Sequence, residues 1–514
     1  MQYILSIDTG SSSAKIVLYD EQGHIASLVR IPTKVNSIER NTAHREYDPE
    51  IWWQASVEGI KQIFQQTYIH PSEIVAIGLT GQIGTHIILD KEGNSLYPAM
   101  SWQDGRTEDE AQILQEQYPD AVLDKALGMH LPPGTAWPIP RMLWLKKHHP
   151  ELFKKPFTLM QTKDYVGYRL TGVAKTDVLS LRGLVHPKLR RIDSLVSDEI
   201  LGIADMIDRL PAFGDASEPI GNLSREAAQA TNLLAGTPVI AGCGDFHASL
   251  VGTGIIDGTY GFNITGTSDH LGRLLPETEK AIGDPRLGKY PSVVPGWDIF
   301  YGATSSGGGA VQWFLEQFGE RSTQQTIAEY VESMLQQAPH SAGILFLPYL
   351  NGERAPIWDA LAKGSFIGFG AGHGKAQFFR ALLEGVVFSL YDCLSIIHEV
   401  SEIRLPLRIS GAAAGDRCWN QMKADIFGVS VTSMRCHESS SLGSAIISAV
   451  GVGMYNSFSE GVQAMVAEDE TFTPDSMVHE RYAELFTTFR EAYKALKPVY
   501  RNLSHIRNDL WTLQ

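Results

Sequence analysis

Asp8-Thr9-Gly10-Ser11-Ser12-Ser13 stands near the start of the chain, and Ile264-Thr265-Gly266-Thr267-Ser268-Asp269 repeats its character about half-way along. Each follows an apolar run that reads as a strand, Tyr3 to Asp8 and Gly258 to Asn263. Each leads into another, Lys15 to Tyr19 and His270 to Arg273. A hydroxyl-rich turn with a glycine offers backbone N–H groups and side-chain hydroxyls to phosphate oxygens, and the glycine permits close approach. The first turn is not a Walker sequence, so a P-loop fold is not indicated. Alone, such a stretch reads equally as a plain hairpin turn. The two together, in one strand–turn–strand setting, predict an internal duplication with one phosphate loop per half. Two such loops facing each other across a cleft would clamp a triphosphate.

The first half extends the pattern. Glu21-Gln22-Gly23 closes a hairpin into a third strand, Ile25 to Val29. A helix is expected from Pro49 to about Tyr68, with Asp48 as its cap, Pro49 in the first helical position and Glu50 in the first turn. Ile74 to Thr80 is a fourth strand, and Gly81-Gln82-Ile83-Gly84-Thr85-His86 turns into Ile87 to Asp90. The order βββαβ is not a Rossmann alternation. Further on, Pro238-Val239-Ile240 reads as a buried strand running into Ala241-Gly242-Cys243-Gly244-Asp245-Phe246-His247-Ala248. A carboxylate after a strand, with glycines before it, lies where open α/β sheets place their chemistry. The plainer alternative is that Asp245 caps a helix beginning at Phe246.

Polar clusters mark the remaining candidates. Ser101-Trp102-Gln103-Asp104-Gly105-Arg106-Thr107 opens a helix from about Thr107 to Gln117. Gln82, Gln103, Asp104 and Arg106 offer the donors and acceptors a polyhydroxylated substrate needs. A capped surface helix with Arg106 in a salt bridge would explain the same cluster. Ser305-Ser306-Gly307-Gly308-Gly309-Ala310 precedes a helix, so that a nucleotide could lie on its start. Gly411-Ala412-Ala413-Ala414-Gly415-Asp416 follows the strand Leu405 to Ser410. Such a turn accepts a flat ring or ribose near the backbone, or serves tight packing alone. Lys375 to Glu399 reads as a core helix, Glu438 to Leu442 as the entry to a helix with Gly443 and Ala445 at close-packing positions, and Glu480 to Tyr500 as a charged amphipathic helix.

Composition sets the bounds. At 514 residues two large domains are expected, and 43% hydrophobic with 20% charged residues is ordinary for a globular protein. The net charge of −15 argues against a nucleic-acid groove. No apolar stretch is expected to reach transmembrane length, and the N-terminus leads straight into a strand rather than a signal core. Four scattered cysteines, Cys243, Cys393, Cys418 and Cys436, fit a cytoplasmic chain without disulfides or zinc.

On these motifs the chain resembles the FGGY family of carbohydrate kinases over nearly its whole length. Asp8-Thr9-Gly10-Ser11-Ser12 resembles the family's first phosphate loop and Thr265-Gly266-Thr267-Ser268 its second. Asp48-Pro49 with Trp52-Trp53 is similar to its early helix, and Trp102-Gln103-Asp104-Gly105-Arg106 to its sugar-contacting stretch. Gly244-Asp245 matches the catalytic aspartate motif. Gly352-Glu353-Arg354-Ala355-Pro356 and Arg380-Ala381-Leu382-Leu383-Glu384-Gly385-Val386 resemble its C-terminal signatures.

The resemblance implies an α/β, two-lobed actin-like (ribonuclease H-like) ATPase fold with a duplicated βββαβα core. It implies an N-terminal lobe over 1–246, a C-terminal lobe over 247–477, and a last helix in 478–514 packing back on the N-terminal lobe, with ATP and substrate in the cleft between lobes. Asp245 would be the general base, and Asp8 and Asp245 would sit near Mg2+. Thr9, Gly10, Ser11, Ser12 and Lys15 would face ATP from the first loop, and Gly266 and Thr267 from the second. Gly309, Gly411, Ala412 and Ala413 would line the adenosine pocket. Gln82, Gln103, Asp104, Arg106, Asp245 and His247 would meet the substrate. Partners would be ATP and a sugar or polyol, with no nucleic acid and no membrane, and a homodimer is one assembly open to the chain.

Xylulose is the leading acceptor on this resemblance, with gluconate, glycerol and other polyols as alternatives. A sugar-binding regulator without turnover and a chaperone-type ATPase are the readings from other classes. Three departures bear on the acceptor and the nucleotide. Family members acting on xylulose usually carry Gln-Met-His after the fourth strand and glycerol kinases Gln-Arg-Glu, where this chain has Gln82-Ile83-Gly84. Imidazole and guanidinium are therefore both absent from those positions. His247 stands where xylulose kinases commonly have alanine, and Gly411-Ala412-Ala413-Ala414 is poorer in glycine than usual.

Overall fold

The structure, a computed structural model, describes residues 1–33, 44–130, 132–279, 283–319, 326–401 and 405–511, so residues 512–514 of the final segment lie outside the described residues. The chain forms two compact units. The first comprises Met1–Ile256, Tyr290–Pro295 and Glu438–Val466; the second comprises Asp257–Lys289, Gly296–His437 and Ala467–Gln514.

In the first unit, β1 (Tyr3–Thr9), β2 (Ser13–Asp20) and β3 (Ile25–Pro32) form an antiparallel meander. Six of the seven β1 residues are buried, as a central strand covered on both faces requires, whereas β3 alternates like an edge strand. The helix Glu50–Gln66 buries Trp52, Trp53, Ile60 and Ile63 and returns the chain to β4 (Ile74–Gly81), which lies parallel to β1. β5 (Pro219–Asn222) pairs antiparallel with β6 (Pro238–Gly244), and β6 lies parallel to β4. The spatial order is β5-β6-β4-β1-β2-β3.

The second unit repeats this arrangement. β7 (Gly261–Thr265), β8 (His270–Pro276) and β9 (Trp297–Ala303) form the meander. β10 (Leu407–Gly411) runs parallel to β7, β11 (Val431–Met434) parallel to β10, and β12 (Glu468–Phe472) antiparallel to β11. The duplication read from the two turns therefore extends to whole sheets. Among the corresponding strands the outermost differs in chain order, since β5 precedes β6 while β12 follows β11, and the second sheet has seven strands to the first's six.

The repeat holds at the level of single atoms. Thr9 pairs with Gly81 and Thr265 with Gly411. Thr9 Oγ1 donates to the Thr80 carbonyl at 3.3 Å, and Thr265 Oγ1 to the Ser410 carbonyl at 3.0 Å. A Cβ on Gly81 would lie 2.0 Å from Thr9 Oγ1, and one on Gly411 2.0 Å from the Thr265 carbonyl oxygen.

The units depart from the division at residues 246 and 477. The helix Asp245–Gly252 stays in the first unit, and the helix Ser439–Gly451 joins it there. Small residues explain this: a Cβ on Gly443 would lie 1.7 Å from the Ala248 carbonyl oxygen, and one on Gly252 2.0 Å from that of Ser439. The two helices meet backbone to backbone. The final helix, Ser476–Trp511, belongs to the second unit. Its stripe of Tyr482, Phe486, Phe489, Tyr493 and Tyr500, at helical spacing, is buried in that unit's core with Tyr349 and Phe388.

Two local expectations are also corrected. The helix Lys375–Ser401 has the length and apolarity to cross a membrane, but 83% of its most apolar 18-residue window is buried inside the protein, as in a core helix. The first long helix begins at Glu50 with Pro49 in the cap position, while the Asp48 carboxylate still accepts from Glu50 N at 3.0 Å.

Gly411 has a φ of +100°, which L side chains resist, as well as the carbonyl in its way. Gly411→Ala should therefore cost at least about 1–2 kcal/mol of stability, read as a lower urea midpoint; an unchanged midpoint would show that this strand end can relax.

Candidate active site

Asp245 is the first residue of the helix that follows β6, with Gly244 in the cap position, so it sits at the end of a central parallel strand and does not cap a helix starting at Phe246. Phe246 N donates to its Oδ1 at 2.7 Å. The carboxylate keeps a partly exposed surface, yet the protein around it strips away enough water to push its pKa up to about 6. The negative charge of Asp8 adds to the rise, and the Phe246 N–H, Arg182 and Lys15 oppose it.

Asp8 is buried at the end of β1, where Ser440 Oγ donates to its Oδ2 at 2.8 Å. Lys15, its cross-strand partner, places Nζ 3.5 Å from that oxygen and 3.1 Å from Glu438 Oε2. The carbonyls of the first loop are held from outside: Trp52 Nε1 donates to Gly10 O at 3.2 Å, Thr33 Oγ1 to Ser11 O at 2.9 Å, and Tyr47 OH to Ser11 O at 3.3 Å. Among the described residues no hydrogen bond uses the N–H of Ser11 or Ser12. An anion facing this turn would find both donors available. Ser11 Oγ accepts from Trp102 Nε1 at 2.8 Å and donates to Gln82 Oε1.

The sugar-contacting stretch divides. Gln103 and Trp102 are exposed. Asp104 and Arg106 are turned inward and spent on each other, with Nε–Oδ1 at 2.8 Å and Nη2–Oδ2 at 2.6 Å. Arg106 Nη1 also donates to Glu46 at 2.6 Å and to Tyr97 OH at 3.1 Å, while Asp104 Oδ2 accepts from Arg45 N at 2.6 Å. This fork-to-fork pair shapes the turn that carries Trp102 and Gln103 and leaves few atoms for a ligand.

Two buried groups, His86 and Arg141, were not among the residues expected at the site. His86 is buried, and its Nδ1 accepts from Arg141 Nη1 at 3.3 Å. Burial, then the charges of Arg141 and Arg182, hold its pKa well below the usual value, so the ring is neutral. Arg141 is fully buried and donates to the carbonyls of Thr135, Met100 and Ser101, pinning the backbone just before Trp102; burial pushes its pKa down to about 9. Its sequence signal is one arginine among apolar helix residues, Pro138 to Leu145. His247 is buried beside Asp245, and burial, with the Arg182 charge, brings it down to about 4.

In the second unit a cavity of about 600 Å³ is lined by Gly266, Thr267, Gly309, Ala412 and Ala413, together with Trp313, Asp416 and Trp419. Gly411, with its positive φ, ends β10 directly before Ala412. Asp269 organises the second loop by accepting from Gly266 N at 3.0 Å through Oδ1. The glycine turn before the helix Gly308–Phe318 is tied to that loop: Gly308 N donates to Gly266 O at 2.8 Å, and Gly307 N and Gly309 N donate to Thr267 O at 3.0 Å. These N–H groups are thus committed to the protein and not held for a phosphate. Glu353, buried with its pKa pushed up to about 7 by burial, accepts from Ser305 N, Arg354 N and Ser389 Oγ and anchors the same turn.

The family profile for the FGGY carbohydrate kinase N-terminal domain matches residues 3–252, and that for the C-terminal domain matches residues 261–452. The chain belongs to the FGGY family of carbohydrate kinases. The xylulose kinase of Bacillus subtilis (strain 168) is 30% identical over 516 residues, covering 99% of this kinase and 100% of that one. Crystal structures of a ligand-bound xylulose kinase and of a gluconate kinase, both from Lactobacillus acidophilus, each match with a TM-score of 0.86 at 26% identity. They cover 98% of this kinase and 100% and 99% of their own chains. The kinase thus has the two-domain actin-like ATPase fold and is an ATP-dependent phosphotransferase with an alcohol group as acceptor.

The kinase also buries an ion cluster against β6, the strand that leads to Asp245. Lys163 Nζ lies 2.6 Å from Asp164 Oδ1 and 2.9 Å from Asp177 Oδ2, and donates to the Ala241 carbonyl of β6 at 3.2 Å. Lys163→Met would leave two carboxylates buried together, and should destabilise the protein by about 3–5 kcal/mol in urea unfolding. A loss below about 1 kcal/mol would mean that water reaches the cluster.

Proposed function

We propose that the acceptor is a ketopentose, with xylulose the first candidate, and that Asp245 takes the proton from its reacting hydroxyl. What carries the base assignment is one carboxylate at a central strand end with its pKa pushed up to about 6. Such a group is ionised at neutral pH yet basic enough to receive a proton as the transition state forms. The acceptor reading is supported by the xylulose kinases among the relatives. A sugar acid is the second reading, favoured by the equal structural likeness to a gluconate kinase.

The acceptor hydroxyl would donate to Asp245, lose its proton to it as the new O–P bond forms, and leave ADP as the bond to the γ-phosphorus breaks. Phosphoryl transfer asks mainly for positioning and for neutralised charge. The free N–H groups of Ser11 and Ser12 would meet phosphate oxygens, as would Thr267, while the cavity bounded by Ala412, Ala413 and Trp419 would hold the adenosine. Lys15, already paired with Asp8 and Glu438, would act on ATP through that network.

Asp8 and Asp245 lie within each other's electrostatic reach, a pair of anions that fits Mg2+ bound with the phosphates. When bound, the ion would neutralise charge on the transferring group. Such an ATP-fed sugar kinase would work in the cytoplasm.

Asp245→Asn should lower turnover by about 10²–10⁴-fold with ATP affinity nearly unchanged; retained activity would remove Asp245 from the role of base. Below about pH 6 the wild-type kcat/KM should fall by about tenfold per pH unit, because only ionised Asp245 accepts a proton. A flat profile from pH 5 to 8 would contradict the assignment.

A further inference from the structure

Four side chains at the acceptor end are not used by this mechanism. Gln82 Nε2, His86 Nε2 and His247 Nε2 are buried, with no hydrogen-bond partner among the described residues. Arg182 is partly buried, and among the described residues its guanidinium has neither an ion pair nor a hydrogen bond. A half-desolvated cation and three orphaned polar atoms are costly in a folded protein unless a ligand completes them.

Their placement is rigid. Arg182 follows the short turn Val178–Leu181, in which Ser180 N donates to Asp177 Oδ1 at 3.1 Å and Tyr290 OH donates to Leu179 O at 3.0 Å. Gln161 then ties this turn to the one bearing Gln82. Its Oε1 accepts from Gly84 N at 3.0 Å, and its Nε2 donates to Ser180 O at 3.4 Å. Gln82 follows Gly81, which pairs with Gly244 just before Asp245. The charge of Arg182 bears on Asp245, His247 and His86, so its guanidinium lies within electrostatic reach of all three.

Hydrogen-bond roles follow from the bonds already made. His86 accepts at Nδ1, so its Nε2 carries the proton and is a donor. His247 donates to the Pro291 carbonyl, which leaves Nε2 as an acceptor. Gln82 has already spent Oε1 on Ser11 and offers its amide NH2. The free set is therefore three donor groups, Gln82, His86 and Arg182, against one acceptor, His247. A hydroxyl both donates and accepts, whereas a carbonyl or carboxylate oxygen only accepts.

We propose that Arg182, with Gln82 and His86, forms a recognition subsite for an sp² oxygen of the acceptor, the carbonyl of a ketose or the carboxylate of a sugar acid, beside the hydroxyl that Asp245 deprotonates. The inference rests on the acceptor reading given above and sharpens it.

The test compares wild type with Arg182→Gln on xylulose (a carbonyl), gluconate (a carboxylate) and xylitol (neither), with melting temperature and ATP affinity as controls for folding. For whichever sp² acceptor the wild type uses, kcat/KM should fall roughly 10- to 100-fold, mostly through KM, with xylitol unaffected. Equal loss on all three acceptors, or no loss on the sp² acceptor, overturns the subsite. Gluconate used in preference to xylulose would end the ketopentose reading and leave the subsite standing; use of xylitol alone would end both. Should Arg182→Gln fail to fold, wild-type binding decides: calorimetry should give xylulose or gluconate roughly 10-fold or more over xylitol, and equal affinities overturn the proposal.

Discussion

Thr9 occupies the space that a side chain on Gly81 would need, and Thr265 stands in the same relation to Gly411. This contact governs the layout of both units. The first strand turns back into a hairpin at the place where the neighbouring parallel strand ends, so a loop with free N–H groups and a second turn emerge side by side. Larger residues at Gly81 or Gly411 would force the strands apart and separate the two turns. In the first unit a third strand end joins them, because Gly244 is in register with Gly81 and Asp245 comes next.

From this shared frame the two units diverge by a few side chains. Asp8 in the first unit corresponds to Ile264 in the second, and Gln82 to Ala412, by their register on the paired strands. Charge and amide groups at these places give the first unit a polar strand-end surface, as the proposed proton transfer requires. Apolar and methyl-sized groups, with Trp313 and Trp419, make the second a cavity for a flat ring. Duplicated backbone supplies the geometry, and the chemistry follows from what projects at the strand ends.

The first unit holds an unusual amount of buried charge near these ends. Lys163 sits between two aspartates, Arg141 is held by carbonyls, and Asp104 is forked to Arg106. Desolvating ions is expensive, and such groups persist where they hold backbone that nothing else could hold. Arg141 clamps the carbonyls before Trp102, Lys163 holds β6 four residues before Asp245, and Asp104 with Arg106 shapes the turn between. Together they fix the backbone before Trp102 and Asp245, and fixed backbone is what catalysis by positioning requires.

Local chemistry was legible in the residues themselves. Apolar runs, glycine turns and the repeat of Thr9-Gly10-Ser11 in Thr265-Gly266-Thr267 determined the strands, the duplication and the place of Asp245, because period and turn preference depend on near neighbours. The partners of long polar side chains were not legible. Asp104 and Arg106 offered a substrate-binding pattern in sequence and are spent on each other, while Arg182 and Asp245, far apart in the chain, are brought within electrostatic reach. The final helix carries its aromatic stripe openly, but the stripe does not say which core receives it. The small residues of Ser439–Gly451 likewise announce close packing without naming Ala248 and Gly252 as the partners. Burial and hydrogen-bond partnership are set by contacts between segments hundreds of residues apart, and only the tertiary structure decides them.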